Sequence, residues 1–327
     1  MTMQNTPLLM SRILGRGATL DPDVEVVTMQ ADGTHRQTLK QTWERASQLA
    51  HALNNHGIKV GDRIASFMWN NYRHLELYQG VPSMGAVLHT LNIRLSPTDL
   101  EYIINHANDR VLFIDEDLLP LLEPLKGKID CVELIVICRH GEGGETSFEN
   151  TVDYEDFIKD QPSSYDWPEI DETSPMGLCY TSGTTGKPKG VMYTNRSTYL
   201  HTLTESLTDS MGLSALDSLL GIVPMFHAMG WGLPFAASMV GCKQVYPHRF
   251  MVPDTFLKLM AEEEVTISAG VPTIWQGVRA ALTAEPDKYD ISKVSRLTCG
   301  GSAPAVEMMR WYWDTYNIEM IQGWGMT

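Results

Sequence analysis

Apolar and polar positions along this chain fall into a repeating order of short apolar runs and amphipathic segments. Residues 24–29 and 35–39 flank Ala31-Asp32-Gly33-Thr34, which predicts a β-hairpin. Trp43, Ala46, Leu49, Ala50 and Leu53 then follow helical spacing, and Gly57 supplies a C-terminal stop. Strands are predicted at 63–68, 86–91, 110–115 and 132–138, with a helix at 72–84 between the first two. Ser96-Pro97-Thr98-Asp99 has the cap, the N1 proline and the acidic third residue of another helix start, running to about 108. The charged, Gly-rich stretch 139–150 reads as a surface loop, and 161–173, with Pro162 and Pro168, as a linker. Past it, Asn195 is predicted to cap a helix from 196 to about 207. Strands follow near 219–223, 244–246, 266–269 and 296–299, and helices near 253–264, 272–282 and 305–316. Strands alternating with helices imply parallel βαβ units with right-handed crossovers. The simplest architecture is α/β: two doubly wound sheets packed face to face, helices around them, and a ligand cleft at the carboxyl ends of the strands.

Composition narrows the function classes. A length of 327 residues suffices for a large core or two subdomains, and 43% hydrophobic with 20% charged residues is ordinary for a globular protein. Forty acids against 25 bases leave a net charge of −15, a poor footprint for nucleic acid or for a polybasic membrane patch. No apolar run approaches the length of a membrane span. The stretch before Asp21 carries Arg12 and Arg16 but no acid; it reads as a short opening helix in preference to a transit peptide. Five scattered cysteines form no C-x-x-C pair, which supports neither zinc nor a disulfide framework. Cys179 and Cys299 lie in strand-like runs and read as buried thiols, in keeping with a reducing, cytoplasmic setting.

The densest chemistry is at 180–190, Tyr180-Thr181-Ser182-Gly183-Thr184-Thr185-Gly186-Lys187-Pro188-Lys189-Gly190. From 181 to 190 there are three glycines, four hydroxyl side chains and two lysines, following the apolar run 176–180. Glycines let backbone N–H groups approach a polyphosphate, hydroxyls donate to its oxygens, and lysines add point charge. No Ser or Thr follows Lys187, and Pro188 removes a donor and favours extended backbone, so the geometry is strand, loop, strand and not a Walker A loop. A helix opening at Lys187 would restore the P-loop reading. A polar surface loop is the bland alternative.

This loop resembles the phosphate-binding signature of the adenylate-forming enzymes, which include acyl-CoA synthetases, luciferases and peptide-synthetase adenylation domains. Three more segments match in order: Pro224-Met225-Phe226-His227-Ala228-Met229-Gly230-Trp231, Gly300-Gly301-Ser302-Ala303-Pro304 and Gln322-Gly323-Trp324-Gly325-Met326-Thr327. Trp69-Asn70-Asn71-Tyr72-Arg73-His74-Leu75-Glu76 and Ala86-Val87-Leu88-His89-Thr90-Leu91-Asn92 are similar to medium- and long-chain fatty acyl-CoA synthetases. The likeness covers nearly the whole chain. It implies an N-terminal adenylation domain over 1–327, with a first sheet and phosphate loop at about 40–195 and a second sheet carrying acyl and adenine sites at about 196–327.

The resemblance also implies an activity: ATP and a carboxylic acid give acyl-AMP and pyrophosphate, and the acyl group then passes to coenzyme A. It assigns the β- and γ-phosphates to Thr181, Ser182, Gly183, Thr184, Thr185, Gly186, Lys187 and Lys189, with Mg²⁺ at Thr184. Adenine and AMP go to Gly301, Ser302, Ala303, Gln322, Gly323 and Trp324, and the α-phosphate to Thr327. The acyl pocket goes to His227, Trp231 and Gly301. Thr184, Lys189 and Thr327 carry the catalytic roles. Several residues have ordinary readings too. Lys189 reads equally as a solvated lysine, Gly300 and Gly301 as a strand-to-helix turn, Trp324 as a core tryptophan and His227 as a core histidine. His227 and Trp231, four apart, are predicted to share a helix face.

Relatives continue with a Glu for Mg²⁺, an Asp for the ribose and a small domain carrying a catalytic Lys. The chain is therefore expected to be a fragment, largely inactive alone. A ligase for a short, sulfur-containing or aryl acid stands as the alternative within the family, and a non-catalytic nucleotide-binding module as the alternative outside enzymes. Acyl chain length is not legible, and although some relatives are homodimers, no feature here demands one.

Overall fold

The structure is a computed structural model that describes residues 3–141, 144–181 and 186–327. It opens with helix α1 (Met10–Leu20) and the hairpin β1 (Glu25–Gln30) and β2 (Gly33–Thr38). Then come α2 (Leu39–Asn55), β3 (Arg63–Phe67), α3 (Tyr72–Ser83), β4 (Val87–Thr90), α4 (Pro97–Ala107), β5 (Asp109–Asp115) and the short α5 (Leu119–Leu122). Next are β6 (Leu134–Cys138), β7 (Thr151–Asp153), α6 (Tyr154–Ile158), β8 (Pro175–Tyr180) and β9 (Gly190–Thr194). The second half contains α7 (Asn195–Glu205), β10 (Ser218–Leu220), α8 (Leu233–Val240), β11 (Lys243–Tyr246), α9 (Pro253–Glu262), β12 (Ile267–Gly270), α10 (Pro272–Ala284), β13 (Arg296–Cys299), α11 (Val306–Tyr316) and β14 (Glu319–Gln322).

Among the described residues these strands form two seven-stranded sheets, ordered β7-β6-β5-β3-β4-β8-β9 and β14-β13-β12-β10-β11-β1-β2. Every neighbouring pair is parallel except β8 with β9 and β1 with β2, which are hairpins. The α/β class with two doubly wound sheets is thus present. The N-terminal hairpin joins the second sheet: β1 runs parallel to β11, with Val26 opposite Gln244. The sheet built mainly from 218–322 is therefore completed by the first forty residues.

The sheets share a buried helical layer instead of meeting strand on strand. All of α3 is buried, and it touches β1 in one sheet and β4 and β8 in the other. Its polar residues are matched from neighbouring elements. Glu76, fully buried, accepts from Arg45 Nε at 2.7 Å, Gln37 Nε2 at 3.0 Å and the Tyr154 hydroxyl at 2.6 Å. Helix α1 lies on α8 so closely that a Cβ on Gly17 would sit 2.2 Å from the Ser238 carbonyl oxygen; only glycine allows that approach.

Side chains cap the starts of α2, α3, α4 and α7. The Ser96 hydroxyl accepts from Asp99 N at 3.2 Å, ahead of Pro97. At α7 the expected cap is displaced by one residue. Thr194 is the cap, in a reciprocal pair with Ser197, and Asn195 is the first helical residue. Asn195 is buried, its Oδ1 accepts from Met10 N at 3.1 Å and its amide donates to Ser174 O at 3.2 Å. It satisfies the start of α1 in place of its own helix.

Candidate active site

Each motif segment follows a strand at its carboxyl end. The hairpin β8–β9 carries 181–189, closed where Thr181 N donates to Lys189 O at 3.0 Å. Ser182, Gly183, Thr184 and Thr185 lie outside the described residues, and with them the Mg²⁺ position expected at Thr184. Gly186, Lys187 and Lys189 are exposed, and the Lys187 ammonium stands 4.8 Å over the ring of Tyr102 on α4. Below the hairpin, the Tyr180 hydroxyl bonds to His106 Nδ1 at 2.6 Å, and Tyr180 packs 5.1 Å from the ring of buried His89. His89 Nδ1 is 2.7 Å from Asp109 Oδ2. Burial pushes the Tyr180 phenol up to about 12, with Asp109 and Tyr102 adding to it.

The segment after β10 reaches across to this hairpin. Met229 lies over Gly177 of β8, where a Cβ would be 3.1 Å from its Cε. The expected shared helix face of His227 and Trp231 does not exist. Residues 228–232 form a left-handed turn, with φ, ψ of 51°, 38° at Met229, 62°, 28° at Gly230 and 55°, 26° at Trp231. The reason is Pro234. In a helix continuous from 227, its ring would clash with the Gly230 carbonyl and leave it without a donor, so α8 starts at Leu233. Left-handed non-glycine residues cost about 1–2 kcal/mol each, and the segment that leads into the turn is anchored. Asn70, after β3, donates to Gly221 O at 2.8 Å and Val223 O at 2.7 Å and accepts from Met225 N at 2.8 Å. The Tyr78 hydroxyl also donates to Met225 O. His227 projects outward; partial desolvation and then the Arg94 charge lower its pKa.

Trp231 turns inward to the ends of β13 and β14. A Cβ on Gly300 would meet its ring at 2.8 Å and the Gly323 carbonyl oxygen at 3.3 Å. Gly300 N donates to Gly270 O at 3.1 Å, and Gly323 N to Cys299 O at 2.8 Å. Gly301 has φ 77°, a conformation that favours glycine. Trp231, Gly300 and Gly323, from three separate motifs, therefore meet at one point. Gly301, Ser302, Ala303 and Gln322 are exposed beside it, as is Trp324 at 86%, while Thr327 is half-buried. Trp324 is not a core tryptophan here. A polar recess of about 460 Å³ lined by His35, Arg45, Tyr72, Arg73 and Glu155 includes none of these residues. Asn70, Arg94 and Tyr102 also touch these motif segments, and the sequence does not single them out. For Asn70 the signal was a polar Asn-Asn pair directly after an apolar strand.

The arrangement sets an exposed aromatic shelf, glycine-lined backbone and a lysine-bearing hairpin around the carboxyl ends of two sheets, where α/β proteins take ligands. Residues 15–327 match the family described as AMP-binding enzyme. The chain is 39% identical over 327 residues to a medium-chain-fatty-acid–CoA ligase of Ectopseudomonas oleovorans, covering 99% of this chain and 60% of that protein. It is 40% identical over 327 residues to a long-chain-fatty-acid–CoA ligase of Thermus thermophilus, covering 100% and 58%. Against a 3-methylmercaptopropionyl-CoA ligase of Ruegeria pomeroyi the identity is 37% over 330 residues, covering 99% and 60%. The chain thus spans about 60% of the length of these curated relatives. In fold it superposes with a TM-score of 0.85 on an anthranilate CoA ligase in complex with anthranoyl-AMP, at 24% identity and covering 100% of this chain and 62% of that one. The inhibitor-bound N-terminal domain of FACL13 from Mycobacterium tuberculosis gives 0.84 at 23% identity, covering 97% and 76%.

Proposed function

The chain belongs to the AMP-binding enzyme family, and from that premise we propose that it is the ATP- and acyl-binding part of an AMP-forming fatty acyl-CoA synthetase. The observation that carries this reading is the meeting of Trp231, Gly300 and Gly323 at the carboxyl ends of the second sheet, with Met229 of the same turn lying on the strand that leads into the lysine hairpin. In this reading a carboxylate oxygen attacks the α-phosphorus of ATP, and the bond to the β-phosphate oxygen breaks to release pyrophosphate. The thiol of coenzyme A then attacks the acyl carbonyl, and AMP leaves.

The protein's part is positioning and charge stabilisation. The 181–189 hairpin holds the β- and γ-phosphates through its hydroxyls, Lys187 and Lys189, with Mg²⁺ at Thr184. Trp324 stacks on adenine against Gly323 and Gln322, while Gly301, Ser302 and Ala303 border the nucleotide. Thr327 hydrogen-bonds the α-phosphate. His227 and Trp231 flank the acyl carboxylate, Trp231 as the gate to the chain-binding side.

The test is pyrophosphate release by the parent enzyme across straight-chain acids of increasing length, with 3-methylmercaptopropionate and an aryl acid alongside. Highest kcat/KM on medium or long chains supports the proposal. A preference for the sulfur acid turns the assignment to the second reading, which the 37% identity to the Ruegeria ligase favours. Tight ATP binding by calorimetry with no release for any acid would leave a nucleotide-binding module.

A further inference from the structure

Four side chains outside these motifs gather where the carboxyl ends of the two sheets face each other. Asp115 ends β5, Asp117 follows it, His140 follows β6, and His248 follows β11 in the other sheet. One donor atom from each lies within 4.8 Å of the other three. His140 Nε2 is 3.2 Å from Asp115 Oδ1, and His248 Nε2 is 3.8 Å from Asp115 Oδ2. The two imidazole rings are 4.4 Å apart.

The groups around them hold the carboxylates in place. Asp115 is fully buried and accepts from Trp69 N at 2.8 Å and from the Asn71 amide at 2.9 Å. Asp117 Oδ2 accepts from Trp69 Nε1 at 2.9 Å. Outer hydrogen bonds of this kind orient metal-binding carboxylates. Two donor atoms of the cluster are left over: His248 Nε2 and Asp117 Oδ1 are buried and have no hydrogen-bond partner. His248 is only 3% exposed, so no bulk water meets its nitrogen. An orphaned buried imidazole nitrogen destabilises the fold unless something else meets it.

We propose that Asp115, Asp117, His140 and His248 bind a divalent ion of the zinc type, which clamps the carboxyl ends of the two sheets together. Two imidazoles with two carboxylates suit zinc and its neighbours, whereas calcium and magnesium take all-oxygen shells. Tetrahedral zinc with bonds of about 2.0 Å needs donors about 3.3 Å apart, so the four draw together on loading. His140 then carries its proton on Nδ1, and the 3.5 Å contact from Arg73 Nη1 to that nitrogen gives way. The cluster shares no residue with the nucleotide motifs, and its role is structural.

The experiment titrates zinc chloride into chelator-treated, metal-free protein by calorimetry and follows Tm in parallel. One zinc per chain and a higher Tm at equimolar zinc are expected. His248→Gln should weaken zinc binding at least tenfold, and Asp117→Asn, at the half-buried rim, should do the same where the histidine variant folds poorly. Cobalt should give the strong visible bands of a four-coordinate site in the wild type and lose them in either variant. No zinc heat with unchanged Tm overturns the proposal. So does zinc binding of the same affinity in both variants, which would place the ion elsewhere.

Discussion

Asn70 shows how much one side chain holds together. Its single amide spends both donors and its acceptor on the segment after β10, joining the end of a first-sheet strand to the turn that carries Trp231. Asn70→Ala would leave two carbonyls and one N–H unpaired in a buried setting. The expected loss is roughly 2–4 kcal/mol, read by urea unfolding, with weaker binding of an acyl-AMP analogue. A stability loss without any change in analogue affinity would detach Asn70 from the site. Gly300 makes a contrasting case. Its missing Cβ leaves room for the Trp231 ring, so Gly300→Ala should displace that ring. We expect tryptophan fluorescence to shift and analogue affinity to drop at least tenfold, with a stability cost of about 1–3 kcal/mol. Glycine at 300 was legible as a motif, but its partner was not, because residues 231 and 300 meet only through the fold. The Asn70-Asn71 pair after an apolar strand marks a polar position, but nothing local in Trp69-Asn70-Asn71 indicates that its partners are carbonyls some 150 positions away.

At the scale of elements, local chemistry was read well where it acts within a few residues. Ser96 with Pro97 starts α4, and the apolar runs of β5 and β6 form where they were expected. It was misread where a distant group competes. Asn195 leaves its own helix cap to Thr194 because the start of α1 claims its side chain. The spacing of His227 and Trp231 imitated a helix, but Pro234 moved the helix start to Leu233 and left a left-handed turn. That turn depends on Gly232, with φ 80°, where a Cβ would lie 2.6 Å from His201 Nδ1 and 3.0 Å from Glu205 Oε2. Gly232→Ala should therefore cost more than the roughly 1–2 kcal/mol of left-handed backbone strain alone. It should also impair acyl binding more than ATP binding, a difference that separate calorimetric titrations would read. Equal effects on both ligands would deny the turn a specific acyl-side role.

For the whole molecule, the buried helical layer contributes one part of the response to pH. His74 on α3 is neutral and fully paired, with Ser66 Oγ 2.9 Å from Nε2 and the Trp69 carbonyl oxygen 3.0 Å from Nδ1. Burial holds its pKa down to about 4 from 6.5, against the weaker pull of the Trp69 carbonyl and Asp115. Between those values the unfolded chain binds the proton and the folded chain does not, so stability falls as pH drops from about 6.5 to about 4. The contribution is complete above 6.5 and amounts to at most roughly 3 kcal/mol. Glu205, pushed well up by burial, acts with the opposite sign: its contribution is present at low pH and fades as pH rises. Comparing wild type with His74→Gln isolates the histidine. The variant should show a flatter loss of Tm between pH 7 and 4.5, and parallel curves would refute the assignment.

The chain's own order of apolar runs, caps and turn residues determined the α/β class, most of its elements and the motif segments at the ends of strands, because those signals act over a few neighbouring residues. Tertiary structure alone decided that the first hairpin completes the second sheet, that the polar helix α3 is wholly buried, and that Trp231 faces Gly300. Each depends on groups far apart in sequence, whose pairing is chosen by burial and hydrogen-bond satisfaction across the molecule.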